Sequence, residues 1–281
     1  MRAAAAAALT ALVFVASASG AGNPRIAALQ VALREKALYR GSVDGVLGPQ
    51  TRAAVLALQR RAHLTQDGIP GPRTRRALGR LGRPSLGSRV LKRGRRGWDV
   101  AQLQFRLAWH GFPSGPLDGV FGPRTRAAVE RFQRFARIAL DGVAGPATLA
   151  ALRGPRARCP LTLHWPLRVP IGDRFGPRGD RFHAGIDLPA PTGTPVAAAA
   201  PGRVTFAGRR DAYGLLVVVA HTAGVRTMYA HLSKLSVIPR TLVHTGTTVG
   251  LVGATGDATG PHLHFEVRVR GAAVDPLPAL R

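Results

Sequence analysis

Residues 261–267, Pro-His-Leu-His-Phe-Glu-Val, set two imidazoles one residue apart in a run that otherwise suits a buried β-strand. Side chains two apart on a strand share a face, so His262 and His264 project together while Leu263, Phe265 and Val267 fill the other side. Alone, such a pair serves equally well as a solvated surface feature. A second pattern bears on it. In the stretch 181–191, Arg-Phe-His-Ala-Gly-Ile-Asp-Leu-Pro-Ala-Pro, His183 precedes Asp187, with Gly185 between them and two prolines after, a context that disfavours a helix. Imidazole and carboxylate donors suit Zn²⁺, and three protein ligands leave a fourth position for water.

The elements that must position these groups are short β-type runs. Gly202–Gly208, Leu215–His221, Val225–Leu232, Thr247–Thr255 and His262–Val269 alternate or run apolar and are separated by Gly, Pro, Asp and Thr clusters, which predicts an antiparallel β domain. The first half of the chain is different. There, Asp-Gly-x-x-Gly-Pro-x-Thr recurs at Asp44, Asp67, Asp118 and Asp141. Asp-Gly makes a turn because glycine accepts positive φ, and Gly-Pro then opens a helix because proline suits its first position. Ile26, Leu29, Leu33 and Ala37 fall at helical spacing after Asn23-Pro24, and Val55 and Leu58 continue in a second helix. Val100, Leu103 and Leu107, then Val129 and Phe132, repeat the plan. The reading is two compact three-helix modules, each with a short last helix.

Two resemblances follow. Residues 26–78 and 98–152 resemble the peptidoglycan-binding modules found beside cell-wall hydrolases, through Leu29-Gln30, Leu103-Gln104, Gln59, Gln133 and the four turns. Two linked weak sites would gain affinity through effective concentration. From Gly172 to Asp275 the chain resembles the M23 metallopeptidases of the lysostaphin and LytM type, through Arg-Phe-Gly-Pro-Arg at 174–178, the His183 to Asp187 stretch, Tyr-Ala-His-Leu at 229–232 and the Gly253 to Val267 run. That resemblance implies that His183, Asp187 and His264 hold Zn²⁺, while His231 and His262 are unliganded catalytic histidines. It also implies a secreted zinc metalloendopeptidase that hydrolyses peptide bonds of peptidoglycan stems or cross-links, anchored to the cell wall by two binding modules. The alternative is a non-catalytic wall-binding protein or an activator of other cell-wall hydrolases.

The expected fold class is multidomain α + β, with two three-helix modules followed by an antiparallel β-sheet domain of the LytM type. The expected division is a signal peptide at 1–21, module 1 at 23–80, a flexible basic Gly/Arg linker at 81–97, module 2 at 98–152, a linker at 153–165 and the metallopeptidase domain at 166–281. Met1-Arg2, an apolar run and small residues at 16–21 read as an export signal, too short for a membrane span.

Composition narrows the partners. The net charge is +26, which favours an anionic partner. The basic residues are scattered rather than gathered in one stripe, so an exported protein meeting an acidic wall fits better than nucleic acid, and no stable membrane anchor is expected. Only Lys36, Lys92 and Lys234 are lysines, and this arginine bias weakens any reading of one arginine by itself. Cys159 is the only cysteine, which excludes an intrachain disulfide and a zinc-thiolate cluster. His63 and His110 belong to the helical modules, His164 and His244 carry no assigned role, and Glu266 is read as a structural ion-pair partner.

Overall fold

The computed structural model describes residues 22–281, so the expected signal peptide lies outside the described residues. No helix among the described residues is long and apolar enough to cross a membrane.

Six α-helices come first: α1 (Pro24–Glu35), α2 (Pro49–Arg61), α3 (Pro72–Ala77), α4 (Trp98–Trp109), α5 (Pro123–Ala136) and α6 (Pro146–Ala151). Proline opens five of them, and Asn23 caps α1 by accepting the Arg25 N–H at 2.8 Å. Helix α1 stops two residues short of the expected Ala37, which adopts a left-handed backbone at φ 56. A residue beyond the last turn can take that conformation where the chain must reverse.

Each Asp-Gly turn is clamped by a buried glutamine. Gln30 Nε2 donates to Asp44 Oδ1 and the Val46 carbonyl, while its Oε1 accepts the Gly45 N–H. Gln59, Gln104 and Gln133 do the same for the turns at Asp67, Asp118 and Asp141. The repeated glutamines of the sequence therefore hold turns together: a buried amide is stable only when both its ends are bonded.

The two modules share a core. Leu29, Leu33, Trp98, Phe105 and Leu117 lie in one buried cluster, with α1 packed along α4. Burying each such side chain contributes roughly 1.5–3 kcal/mol. The modules are thus one body, not two beads on a string. The segment expected to be a flexible linker at 81–97 is held as well. Leu91 is fully buried and exchanges backbone hydrogen bonds with Ala144, and Arg89 pairs with the buried Asp99 at 2.7 Å. One apolar anchor and one buried ion pair are enough to fix a segment whose composition reads as mobile.

The β domain contains β1 (Gly176–Arg178), β2 (Arg181–His183), β3 (Ile186–Pro189), β4 (Pro195–Ala197), β5 (Gly202–Arg209), β6 (Leu215–Ala220), β7 (Val225–Leu232), β8 (Lys234–Leu235), β9 (Leu242–Val243), β10 (Thr248–Leu251), β11 (His262–Val269) and β12 (Ala272–Val274). The main sheet runs β12-β11-β7-β6-β5-β9, all antiparallel, and β3 pairs with the first half of β11. One face covers the core of Ile186, Leu188, Val217, Tyr229, Leu263 and Phe265. The chain already joins this domain at Leu163, which donates to Ala279 O and accepts from Arg281 N, so the expected linker at 153–165 ends inside the β domain.

The helical body rests on the β domain. The β1–β2 turn is gripped by Val43 N donating to Gly179 O, Gly179 N donating to Ser42 Oγ, and Leu117 N donating to Asp180 O. Trp109 packs edge-on against Phe182, their ring centroids 5.2 Å apart. Gly111, at φ +87, lies so close to the strand edge that an added Cβ would sit 2.3 Å from Ala273 O.

Candidate metal centre and groove

Strand register brings the first two donors together. In β11, His264 lies directly opposite Asp187 of β3, and His262 lies opposite Pro189. Opposed residues in an antiparallel pair present side chains on the same face. His183 enters from the end of β2, and Gly185 lets the chain pass beneath β11: an added Cβ there would meet Phe265 O at 2.3 Å.

His183, Asp187 and His264 form a buried three-donor cluster. His183 Nε2 is 3.0 Å from His264 Nδ1 and 3.1 Å from Asp187 Oδ1, and His264 Nδ1 is 2.8 Å from the same oxygen. A tetrahedral Zn²⁺ with bonds of about 2.0–2.1 Å has donors about 3.3 Å apart, so the set closes on such an ion with small adjustment.

The far sides of the rings orient these donors. His183 Nδ1 lies 2.9 Å from the Arg174 carbonyl, and His264 Nε2 lies 3.1 Å from Glu266 Oε1. Each of those nitrogens then carries the proton, which turns the other nitrogen, as a lone pair, toward the shared point. Burial alone would lower the His264 pKa, but Asp187 and Glu266 push it up to about 9. Burial would raise Asp187, yet hydrogen bonds from both histidines hold its carboxyl well below the usual carboxylate range. A proton or a metal cation meets the same demand for positive charge, and metal binding expels the proton. The donor set therefore fits the expected zinc.

The expected catalytic histidines lie alongside. The His231 and His262 rings are 4.8 Å apart between centroids, and His262 Nε2 is 3.7 Å from Asp187 Oδ1. His231 follows Ala230, which is opposite His264, so strand alternation would send its ring to the other face. A left-handed backbone at φ 60 turns it back toward the site. His231 Nδ1 is 2.8 Å from Thr255 O and His262 Nδ1 is 2.8 Å from Gly260 O. Both rings thereby keep Nε2 free as a proton acceptor. Burial lowers the His231 pKa and favours the neutral ring, although the Thr255 carbonyl pulls the other way.

Glu266 does more than the expected ion pair. It pairs with Arg268 Nε at 2.7 Å, accepts from Tyr213 OH at 2.9 Å and orients His264. Burial would raise it, but Arg268 and His264 hold it at about 2, while burial and Glu266 push Tyr213 up to about 12. Its place two residues after His264 on the same strand face was the available signal. Tyr213 carried none, and Arg178, which holds Asp187 Oδ2 at 3.2 Å, was visible only as the end of the Arg-Phe-Gly-Pro-Arg stretch, with no role attached. His221 is spent elsewhere, between Pro201 O and the Thr227 hydroxyl.

These groups line a groove of about 920 Å³, whose wall includes Pro113 and Gly115 from the loop between α4 and α5. The helical body therefore shapes the site.

Residues 181–276 match peptidase family M23, and residues 22–78 and 96–152 each match the peptidoglycan binding domain family. The chain carries an M23 peptidase domain behind two peptidoglycan-binding domains. The DD-carboxypeptidase/endopeptidase Mpg of Neisseria meningitidis serogroup B is 48% identical over 113 residues, 40% of this chain and 26% of the relative. The murein hydrolase activator EnvC of Escherichia coli K12 is 38% identical over 118 residues, 41% of this chain and 28% of the relative. Among solved structures, the catalytic domain of lysostaphin from Staphylococcus simulans is 32% identical, with a TM-score of 0.38, covering 39% of this chain and 90% of that one. The chain spans about a quarter of the length of the curated relatives it matches.

Proposed function

We propose that this protein is an exported zinc endopeptidase that cleaves peptide bonds in the stems or cross-links of peptidoglycan and acts at the cell wall. The observation that carries this reading is the convergence of three oriented donors, His183 Nε2, Asp187 Oδ1 and His264 Nδ1, with two further acceptor nitrogens beside them. The peptidoglycan-binding domains support the choice of polymer, and similarity to the endopeptidase Mpg supports the choice of bond.

Zinc held by the three donors would supply Lewis acidity toward the scissile carbonyl and make a water ionisable near neutral pH. The chain's own residues do the rest. Either His262 or His231, neutral and with Nε2 free, accepts the proton that the attacking water loses. Once protonated, that ring becomes a donor. It can then stabilise the developing oxyanion or pass the proton to the leaving amine nitrogen as the C–N bond breaks. The second ring keeps the water aligned. Glu266 and Arg174 O hold the ligand rings in their working tautomers, and the groove offers room for an extended peptide.

The test is digestion of purified sacculi by wild type and His262→Ala, each with and without chelator, with released fragments read by mass. New peptide ends from the zinc-loaded wild type alone are expected, and their masses name the bond. Activity indifferent to chelation sinks the zinc reading; binding without release by either protein moves the protein to the activator class.

A further inference from the structure

Away from the groove, a second cavity of about 610 Å³ lies where the start of α1 meets α4 and the residues following α6. Arg25, Arg106 and Arg153 line it, and no carboxylate does. None of the three forms an ion pair among the described residues, whereas Arg89 and Arg268, also drawn inward, pair with Asp99 and Glu266. Arg106 is half-buried, and its Nε is shielded from solvent without a hydrogen-bond partner. Burial, and then the charge of Arg153, pushes its guanidinium below the ordinary value. Holding a half-buried cation beside another cation is unfavourable unless an anion joins them.

Gln102 gives an independent sign. It lies one helical turn before Arg106 on the same face of α4, is 5% exposed and lines the cavity. The other four buried glutamines, Gln30, Gln59, Gln104 and Gln133, each have both amide ends bonded in a turn clamp. Gln102 makes no side-chain hydrogen bond among the described residues. Its amide borders the cavity, where both its ends are open to a ligand that enters. Helix α1 opens onto the same space with no acidic residue in its first turn.

We propose that this inter-module cavity binds a carboxylate of a peptidoglycan stem peptide, with Arg106 and Arg153 gripping the anion and Gln102 pairing with the adjoining peptide unit. Guanidinium forks match carboxylate oxygens in pairs, and an amide matches a peptide group at both its ends. The leucines Leu86 and Leu149 supply apolar lining for alanine-sized methyl groups. The two modules would then read one stem between them, in place of two separate weak sites. This inference deepens the function proposed above and rests on its choice of polymer.

The test is calorimetric titration of the whole chain, in a His262→Ala background that blocks turnover, with a soluble disaccharide-tetrapeptide. The titration is repeated with the same ligand after amidation of its carboxylates, and with inorganic phosphate. Arg106→Gln and Gln102→Leu should each weaken binding about tenfold or more, as should amidation, because each removes a charge-assisted or buried hydrogen bond. Unchanged affinity in Arg106→Gln with an unaltered melting temperature overturns the site, as does indifference to amidation. Phosphate binding tighter than the muropeptide and lost in Arg106→Gln overturns the choice of ligand. If those variants fail to fold, the exposed Arg153→Gln is titrated in their place, and unchanged affinity there overturns the site. Hydrolysis of sacculi by the wild type is scored separately: retained cleavage with failed binding removes only this inference, and loss of both removes the parent reading too.

Discussion

Glu266 Oε1 stands 3.1 Å from His264 Nε2, on the side of the ring away from the three-donor cluster. One buried carboxylate thus decides which nitrogen of His264 is free to face His183 and Asp187.

Replacing it should loosen the metal before it loosens the fold. Glu266→Gln keeps the shape but loses the charge that fixes the tautomer, and zinc affinity should fall about 10- to 100-fold. Competition against a chelating dye checks this, with circular dichroism as the fold control. Unchanged zinc affinity would mean that the contact is only structural.

The five site residues should separate into two groups. His183→Ala, Asp187→Ala and His264→Ala should lose bound zinc and activity together. His231→Ala and His262→Ala should retain zinc while losing roughly 10²–10⁴-fold in kcat, the usual range for a positioned acid or base. Metal content measured beside turnover draws the line, and zinc loss in His262→Ala would place that residue among the ligands.

Acidification should weaken the helical body through His110. Its Nε2 lies 3.0 Å from the Leu152 carbonyl, and burial lowers its pKa below the ordinary value of 6.5, against the pull of that carbonyl. Above about pH 6.5 the ring is neutral both folded and unfolded, so its contribution is intact. As pH falls, the unfolded chain takes up a proton that the folded one resists, and stability is lost through the depressed folded value. Urea midpoints at neutral and mildly acid pH, compared between wild type and His110→Gln, should show a flatter pH dependence in the variant.

The join between helical body and β domain should be sensitive at Gly111. Its positive φ and its approach to Ala273 O leave no room for a side chain. Gly111→Ala should cost about 1–3 kcal/mol, from backbone strain and a forced shift. Because Pro113 and Gly115 wall the groove, the variant should also alter the pattern of released fragments. A native melting temperature with an unchanged fragment pattern would disconnect the helical body from the site.

The turn clamps should carry a measurable share of the stability of the helical body. Gln104→Leu removes an amide bonded to Asp118, Val120 and Gly119 and leaves a buried N–H without a partner. A loss of about 2–4 kcal/mol is expected, summing one or two unsatisfied groups, and thermal melting measures it.

Local rules made much of this protein legible in its sequence. Glycine and proline chemistry placed the starts of α2, α3, α5 and α6, because φ limits act within a few residues. The two-residue period of a strand put His262 and His264 on one face for the same reason. The β runs that carry them, β5, β6, β7, β10 and β11, were visible as alternating or apolar segments. Other features depended on contacts distant along the chain. His183 meets His264 across 81 residues because β3 pairs with β11 in one register. His231 faces the site only through a backbone twist that alternation forbids. The 81–97 segment, basic and glycine-rich, is fixed by the Arg89–Asp99 pair and by Leu91, whose backbone partner Ala144 lies far along the chain. Composition and spacing therefore determined which groups this chain could bring to bear. Tertiary packing decided which nitrogen of each ring faces the cluster, and which arginines are left without a carboxylate, because both depend on partners that folding supplies.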